Sequence, residues 1–290
     1  MTVAASRHSG SELLVDDAPL VRGTVAVLRA AGHDIPPARV EISSTLAVGE
    51  GLSSSAALEV ALALALLALA GDDPGDPIEL ARLCQRVEAE WGGASTGLLD
   101  QLASLCGVPG HALRIDFSSL AIDPVPLEPA GWRLGIARSG ETRALASSGY
   151  NERRDECERA CALLGLKSLR AAALADCDAL PDPLGRRVRH VLGENERVEL
   201  AVTALREGDW AGLARLLDAS HDSLRDLYDS STDAVERTID RLRAHGAAGA
   251  RIMGGGFGGS VLALFPPGIE LPYDVRQVAP STGARLVDAR

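Results

Sequence analysis

The spacing of apolar and polar residues changes character several times along the chain. Val40-Glu41-Ile42-Ser43-Ser44 alternates apolar and polar, the period of a half-buried strand. Val60 to Ala70 is apolar without interruption, with Glu59 before it and Gly71 and Pro74 after it. At eleven residues this run is shorter than the roughly 20 needed to cross a bilayer, so it predicts a helix buried in a core. A second helix is predicted from Pro77 to Trp91, with Leu80, Cys84, Val87 and Trp91 on one face and Glu88 at its margin. Thr2 to Ala5 and Glu12 to Val15 read as short strands around a polar turn, and Val21 to Ala31 as a helix closed by Gly32.

Further on, a glycine-rich loop leads into a helix beginning at Gly97, and Ala112 to Phe117 and Trp132 to Ala137 read as strands. Asp123-Pro124-Val125-Pro126 between them is the expected boundary of two lobes, residues 1–125 and 126–290. The second lobe is expected to be mostly helical, over about 150–164, 185–206, 209–227 and 233–245. Asp233 and Glu236 make a capping-box-like start to the last helix. A hairpin is expected over 249–265, followed by one or two weak strands.

Composition narrows the possibilities. Nearly half the 290 residues are hydrophobic and about a quarter are charged, as in an ordinary folded domain. The net charge of −11 argues against a broad surface for nucleic acid or anionic membrane, and Lys167 is the single lysine. An anionic ligand must therefore be held locally, by backbone amides and a metal. The five cysteines, Cys84, Cys106, Cys157, Cys161 and Cys177, are odd in number and have no histidine cluster beside them. They read as reduced residues of a cytoplasmic protein, and no signal pattern opens the chain.

Three segments carry candidate chemistry. Gly49-Glu50-Gly51-Leu52-Ser53-Ser54-Ser55 is a turn of small residues running straight into the apolar helix. The first N–H groups of a helix have no intrahelical partners, and such a turn can bind a polyanion; the plainer reading is that Ser53 or Ser54 caps the helix. Glu88 and Asp100 offer two carboxylates, one able to join a serine hydroxyl at a magnesium ion, the other able to accept a proton from a hydroxyl nucleophile. Read singly, Glu88 is equally a solvated helix carboxylate and Asp100 an N-cap. The loop Gly254-Gly255-Gly256-Phe257-Gly258-Gly259 has more glycine than a tight turn requires.

Taken in order, these motifs resemble the galactokinase branch of the GHMP small-molecule kinases. The resemblance rests on segment 49–56, on Gly97-Leu98-Leu99-Asp100-Gln101, on Ala146-Ser147-Ser148-Gly149-Tyr150 with Arg153, Arg154 and Cys157, and on segment 251–259. It covers residues 20 to 265 and implies an α+β, two-lobed fold whose C-terminal lobe combines helices with an antiparallel sheet. It implies an ATP-dependent kinase acting on the C1 hydroxyl of a sugar, most directly galactose, working as a monomer with Mg2+. Asp100 takes the acid–base role, and Ser55 and Glu88 the metal. Gly49, Glu50, Gly51, Leu52, Ser53, Ser54, Ser55, Gly255 and Gly256 take ATP, and Gly97, Asp100 and Tyr150 the sugar.

Galactokinases also resemble one another in a Pro-Gly-Arg-Val-Asn-Leu-Ile-Gly-Glu-His-Thr-Asp segment near the N-terminus, which nothing in residues 1–30 matches. The N-terminal lobe is therefore expected to be incomplete at its start, through a late start codon or a shortened gene. Arg143 stands where many galactokinases carry histidine. The alternatives to an active galactokinase are an impaired nucleotide- and sugar-binding relative acting as a sensor, and a kinase for another sugar or a small alcohol.

Overall fold

A computed structural model describes residues 1–7, 18–46, 51–93, 97–141 and 146–287, with the side chains of 146–148 left aside. The predicted strand at 12–15 lies outside the described residues. The chain divides into two compact units: 1–48, 52–124 and 280–290 form the first, and 49–51 with 125–279 the second. Within the described residues no helix is long and apolar enough to cross a membrane.

The first unit is built around the apolar run. It forms α2 (Ser54–Ala70), which is apolar on every side and has Val60, Leu62, Leu66 and Leu67 fully buried. Its neighbours are α1 (Pro19–Ala30), α3 (Pro77–Val87), α4 (Leu99–Cys106) and β1 (Thr2–Arg7). β1 pairs antiparallel with β2 (Ala38–Ser43), with Val3 opposite Ile42. α2 stops at Gly71, whose φ of 86° puts it in the left-handed region, and Asp72 N donates back to Leu67 O at 2.9 Å. Asp76 then caps α3, accepting from Ile78 N at 3.0 Å, with Pro77 in the first helical position. β3 (His111–Asp116) and β4 (Ala121–Pro126) pair with each other, so the proline-rich stretch predicted as a lobe boundary is itself strand.

The predicted helix from 77 to 91 changes form partway. α3 ends at Val87, and Glu88–Gly92 widen into a π-helical turn. Trp91 consequently leaves the face of Leu80, Cys84 and Val87. Its ring lies on α1 at Gly23, where a Cβ would stand 2.5 Å from Trp91 Cγ, and it is 37% exposed.

The second unit holds an antiparallel sheet in the order β6–β7–β5–β8, from β5 (Arg133–Arg138), β6 (Gly249–Ile252), β7 (Ser260–Phe265) and β8 (Arg276–Val278). Val261, Ala263 and Phe265 of β7 turn into a core with Val235, Ile239 and Leu242. Those three lie on α9 (Asp233–Ala244). The other helices are α5 (Ala146–Leu164), α6 (Leu174–Ala179), α7 (Leu184–Glu207) and α8 (Trp210–Asp226), with α6 and the early start of α5 unforeseen by the pattern. α9 is capped one residue earlier than expected: Thr232 Oγ1 accepts from Val235 N at 3.4 Å, while Glu236 pairs with His221 at 2.9 Å. All five cysteines are free.

The end of the chain departs from the expected division at 125/126. From Pro280 it belongs with the first unit, where Gly283 N donates to Gly107 O at 2.8 Å and Ala284 N to Ser104 O at 2.7 Å. A Cβ on Gly107 would lie 2.9 Å from Ser281 O, so a small residue there admits the returning chain.

Because Leu66 is fully buried among the packed residues of the first core, truncating it leaves a cavity. Leu66→Ala is expected to lower unfolding free energy by about 2–5 kcal/mol, read from urea denaturation; a change below about 1 kcal/mol would contradict the packing described.

Candidate active site

The start of α2 is unlike an ordinary capped helix. Ser53 occupies the N-cap position with φ 55° and ψ 39°, in the left-handed region that a non-glycine residue seldom adopts, and makes no side-chain capping bond. Gly51, two residues earlier, has φ 73°. The reading of Ser53 as an N-cap by its hydroxyl therefore fails. The first bond of the helix runs from Ala57 N to Ser53 O at 3.0 Å, which leaves the N–H groups of Ser54, Ser55 and Ala56 ahead of the ladder. Gly49 and Glu50, predicted as part of this turn, lie outside the described residues.

Ser55 is committed elsewhere. Its Oγ donates to Glu88 Oε1 at 2.9 Å. Glu88 is 7% exposed, buried rather than solvated: its backbone is still α-helical, and one turn beyond the buried Cys84 it continues the inward face of α3. The second oxygen of Glu88 accepts from Gln101 Nε2 at 3.0 Å. Gln101 lies one residue after Asp100, in the first turn of α4, and is fully buried. Asp100 is half-buried and faces a negative neighbourhood with Glu59 and Glu88. Gly97, just before α4, has open space where a side chain would stand.

Two residues of this cluster were not singled out from the sequence. Glu59, inside α2 and without exposed surface, accepts from Gln101 Nε2 at 3.3 Å through Oε2. Burial pushes its carboxyl up to about 8, the charge on Glu88 adds to the rise, and the Gln101 bond opposes it. A signal was present: Glu59 opens the apolar run and shares a helical face with Leu62, Ala63 and Leu66, which are buried. Gln101 carried no comparable signal, since its burial depends on how α4 meets α2 and α3.

For a cation the donor set is small. Among the described residues no group of three His, Cys, Asp or Glu has the arrangement of a metal cage. One hydroxyl and one carboxylate, both hard oxygens, stand together at Ser55 and Glu88, which suits a magnesium ion that takes its remaining ligands from phosphate and water.

The remaining predicted residues belong to the second unit. In the loop after β6, Gly254, Gly256, Phe257, Gly258 and Gly259 all have positive φ. A Cβ on Gly255 would lie 2.6 Å from Tyr150 Cδ2, and one on Gly149 would lie 2.7 Å from Phe257 Cε1. The Tyr150 ring thus packs on the glycine loop, and Phe257 packs back on the helix that carries Tyr150. Phe257 N donates to Ser230 O at 2.7 Å, and a Cβ on Gly256 would stand 2.5 Å from that same oxygen. The segment bearing Ser230 is itself anchored: Arg187, 1% exposed, donates to Leu227 O at 2.5 Å and to Asp229 Oδ2 at 2.8 Å, with Glu156 on its Nε at 2.6 Å. Five glycines are explained here by close approach and backbone conformation together.

The raised proton affinity of Glu59 has a thermodynamic consequence. The folded protein keeps a proton that the unfolded chain releases above its ordinary value of 4.5, so stability falls as pH rises from there to about 8 and is level beyond. Glu59→Gln removes this titration. Its unfolding free energy should gain on the parent's between those two pH values by at most about 1.4 kcal/mol per pH unit, and its melting temperature should gain with it. Parallel curves of melting temperature against pH would refute the protonated Glu59.

Comparison with known proteins gives the arrangement a family. Residues 19–108 match the family described as GHMP kinases N terminal domain, and residues 201–272 that described as GHMP kinases C terminal. A galactokinase of Thermotoga neapolitana is 41% identical over 249 residues, covering 86% of this chain and 71% of the relative. One from Mycobacterium tuberculosis is 42% identical over 250 residues, covering 84% and 69%. The crystal structure of Lactococcus lactis galactokinase complexed with galactose superposes with a TM-score of 0.81 at 30% identity, over 88% of this chain and 69% of that one. L. major mevalonate kinase, at 19% identity and a TM-score of 0.59, shares the fold. With kinase domains matched at both ends and relatives this similar over most of their length, the chain belongs to the GHMP kinases and, within them, to the galactokinases.

Proposed function

We propose that the chain transfers a phosphoryl group from ATP to the C1 hydroxyl of galactose, giving galactose 1-phosphate. The observation that carries this reading is the meeting, at the start of α2, of Ser55, the buried Glu88 and the first turn of α4, which bears Asp100. Phosphoryl transfer needs positioning and charge neutralisation more than covalent help, and these residues offer both.

The roles follow from the chemistry of each group. The amides ahead of the α2 ladder, with the rest of segment 49–55, take the ATP phosphates, the dipole of the buried helix adding to their pull. Ser55 and Glu88 hold Mg2+, which neutralises charge on the phosphate oxygens. Asp100 accepts the hydrogen bond, and then the proton, of the sugar hydroxyl. The space at Gly97 leaves room for the sugar beside it. The family resemblance assigns Tyr150 to the sugar and Gly255 and Gly256 to the nucleotide. The reading carries with it a monomeric cytoplasmic enzyme, in keeping with five free cysteines.

The test is galactose-dependent release of ADP by the purified chain. Asp100→Asn is expected to lower kcat by about 10²–10⁴-fold while leaving the dissociation constant of ATP essentially unchanged. Equal loss of ATP binding would mark Asp100 as structural. ATP binding without turnover of galactose, in a chain that turns over another sugar or a small alcohol, would move the substrate.

A further inference from the structure

Gln101 makes an unusual pair of bonds for a buried amide. Its single Nε2 donates to two carboxylates, Glu59 Oε2 at 3.3 Å and Glu88 Oε2 at 3.0 Å, which engages both of its N–H bonds. The opposite atoms go without: Gln101 Oε1 and Glu59 Oε1 are both buried and lack a hydrogen-bond partner. Leucines at both positions together would remove the two unpaired oxygens and the bond between these side chains, at the loss of a single bond to Glu88, so packing does not explain the arrangement.

Its geometry does. Glu88 has two oxygens, one facing Ser55 Oγ and one facing the amide, and the pair of bonds fixes the plane of the carboxylate. The amide could turn over about its own axis and present Oε1 to Glu88, an acceptor against an acceptor. Glu59 adds to the preference for the observed orientation, in which its Oε2 accepts the second N–H of Nε2. We propose that Gln101, backed by Glu59, is a positioning residue that orients the Glu88 carboxylate toward the cation it shares with Ser55. This rests on the reading of Ser55 and Glu88 as the metal-holding pair. Groups that hold a metal ligand from behind commonly govern affinity for the metal rather than the chemistry itself.

The test compares binding with and without metal. Calorimetric titration with ADP is run once in EDTA and once in Mn2+, an ion that takes the same oxygen ligands, and the ratio of the two affinities measures the metal's share. Gln101→Leu is expected to lower that ratio by about 10–100-fold with the EDTA affinity unchanged. Glu59→Leu should lower it too, whereas Glu59→Gln, which keeps an oxygen able to accept from Gln101, should restore the parental value. A parental ratio in Gln101→Leu overturns the positioning role. Should Gln101→Leu lose its cooperative melting transition, the Glu59 pair decides alone: equal ratios in Glu59→Leu and parent overturn the proposal. Glu88→Gln separates the two levels. If it lowers the ratio while Gln101→Leu does not, the positioning role alone fails; if it too keeps the parental ratio, the metal-holding pair fails and the proposal with it.

Discussion

A helix as apolar as α2 has to be covered over most of its surface, and the first unit is organised around that requirement, with the row Ala57, Ala61, Ala65 and Ala68 keeping some exposure. α2 takes α1, α3, α4 and β1 as its walls. Held by these four elements, its N-terminal turn presents the amides at Ser54 to Ala56 and the hydroxyl of Ser55 at a defined place. The same enclosure brings α3 and α4 alongside, and with them Glu88 and Asp100. The chemistry is thus presented by a rigid core element rather than by a mobile loop, which suits a reaction that depends on positioning.

Enclosure also has a cost, which falls on Glu59. A carboxylate inside such a helix has no water, so it holds its proton and binds to Gln101. Gln101 passes the constraint to Glu88, and Glu88 to Ser55. The four side chains form one connected polar path through an apolar core. Paths of this kind specify a single arrangement when their bonds are made, because any slip leaves buried polar atoms unpaired. The π turn at Glu88–Gly92 belongs to the same economy of space: α3 delivers Glu88 to the path on its inward face, and the wider turn that follows carries Trp91 over Gly23.

Much of this is legible in the residue pattern alone. The apolar run announces a buried helix, the alternation at 40–44 a strand, and the glycine loop a hairpin tip, and each is found within a few residues of its expected place. Spacing and family resemblance single out Ser55, Glu88 and Asp100, and the structure brings Ser55 and Glu88 into contact. Other features are invisible in the pattern because they depend on partners distant in sequence or on local geometry. Thr232, not Asp233, caps α9. The chain from Pro280 returns to the first unit because Gly107 lets it approach.

Local pattern determined where helices and strands form and which residue types meet phosphate, metal and hydroxyl, since these depend on period, turn chemistry and side-chain valence. It left Glu59 at the margin of the apolar run, and the confinement of that carboxyl follows from the buried face it shares with Leu62, Ala63 and Leu66. Only the tertiary structure decided what answers that confinement. Gln101 is forty-two positions away along the chain, and its two bonds to Glu59 and Glu88 exist because three helices converge around α2. Hydrogen bonds between buried side chains are settled by distance and direction in space, and neither is written in the order of residues.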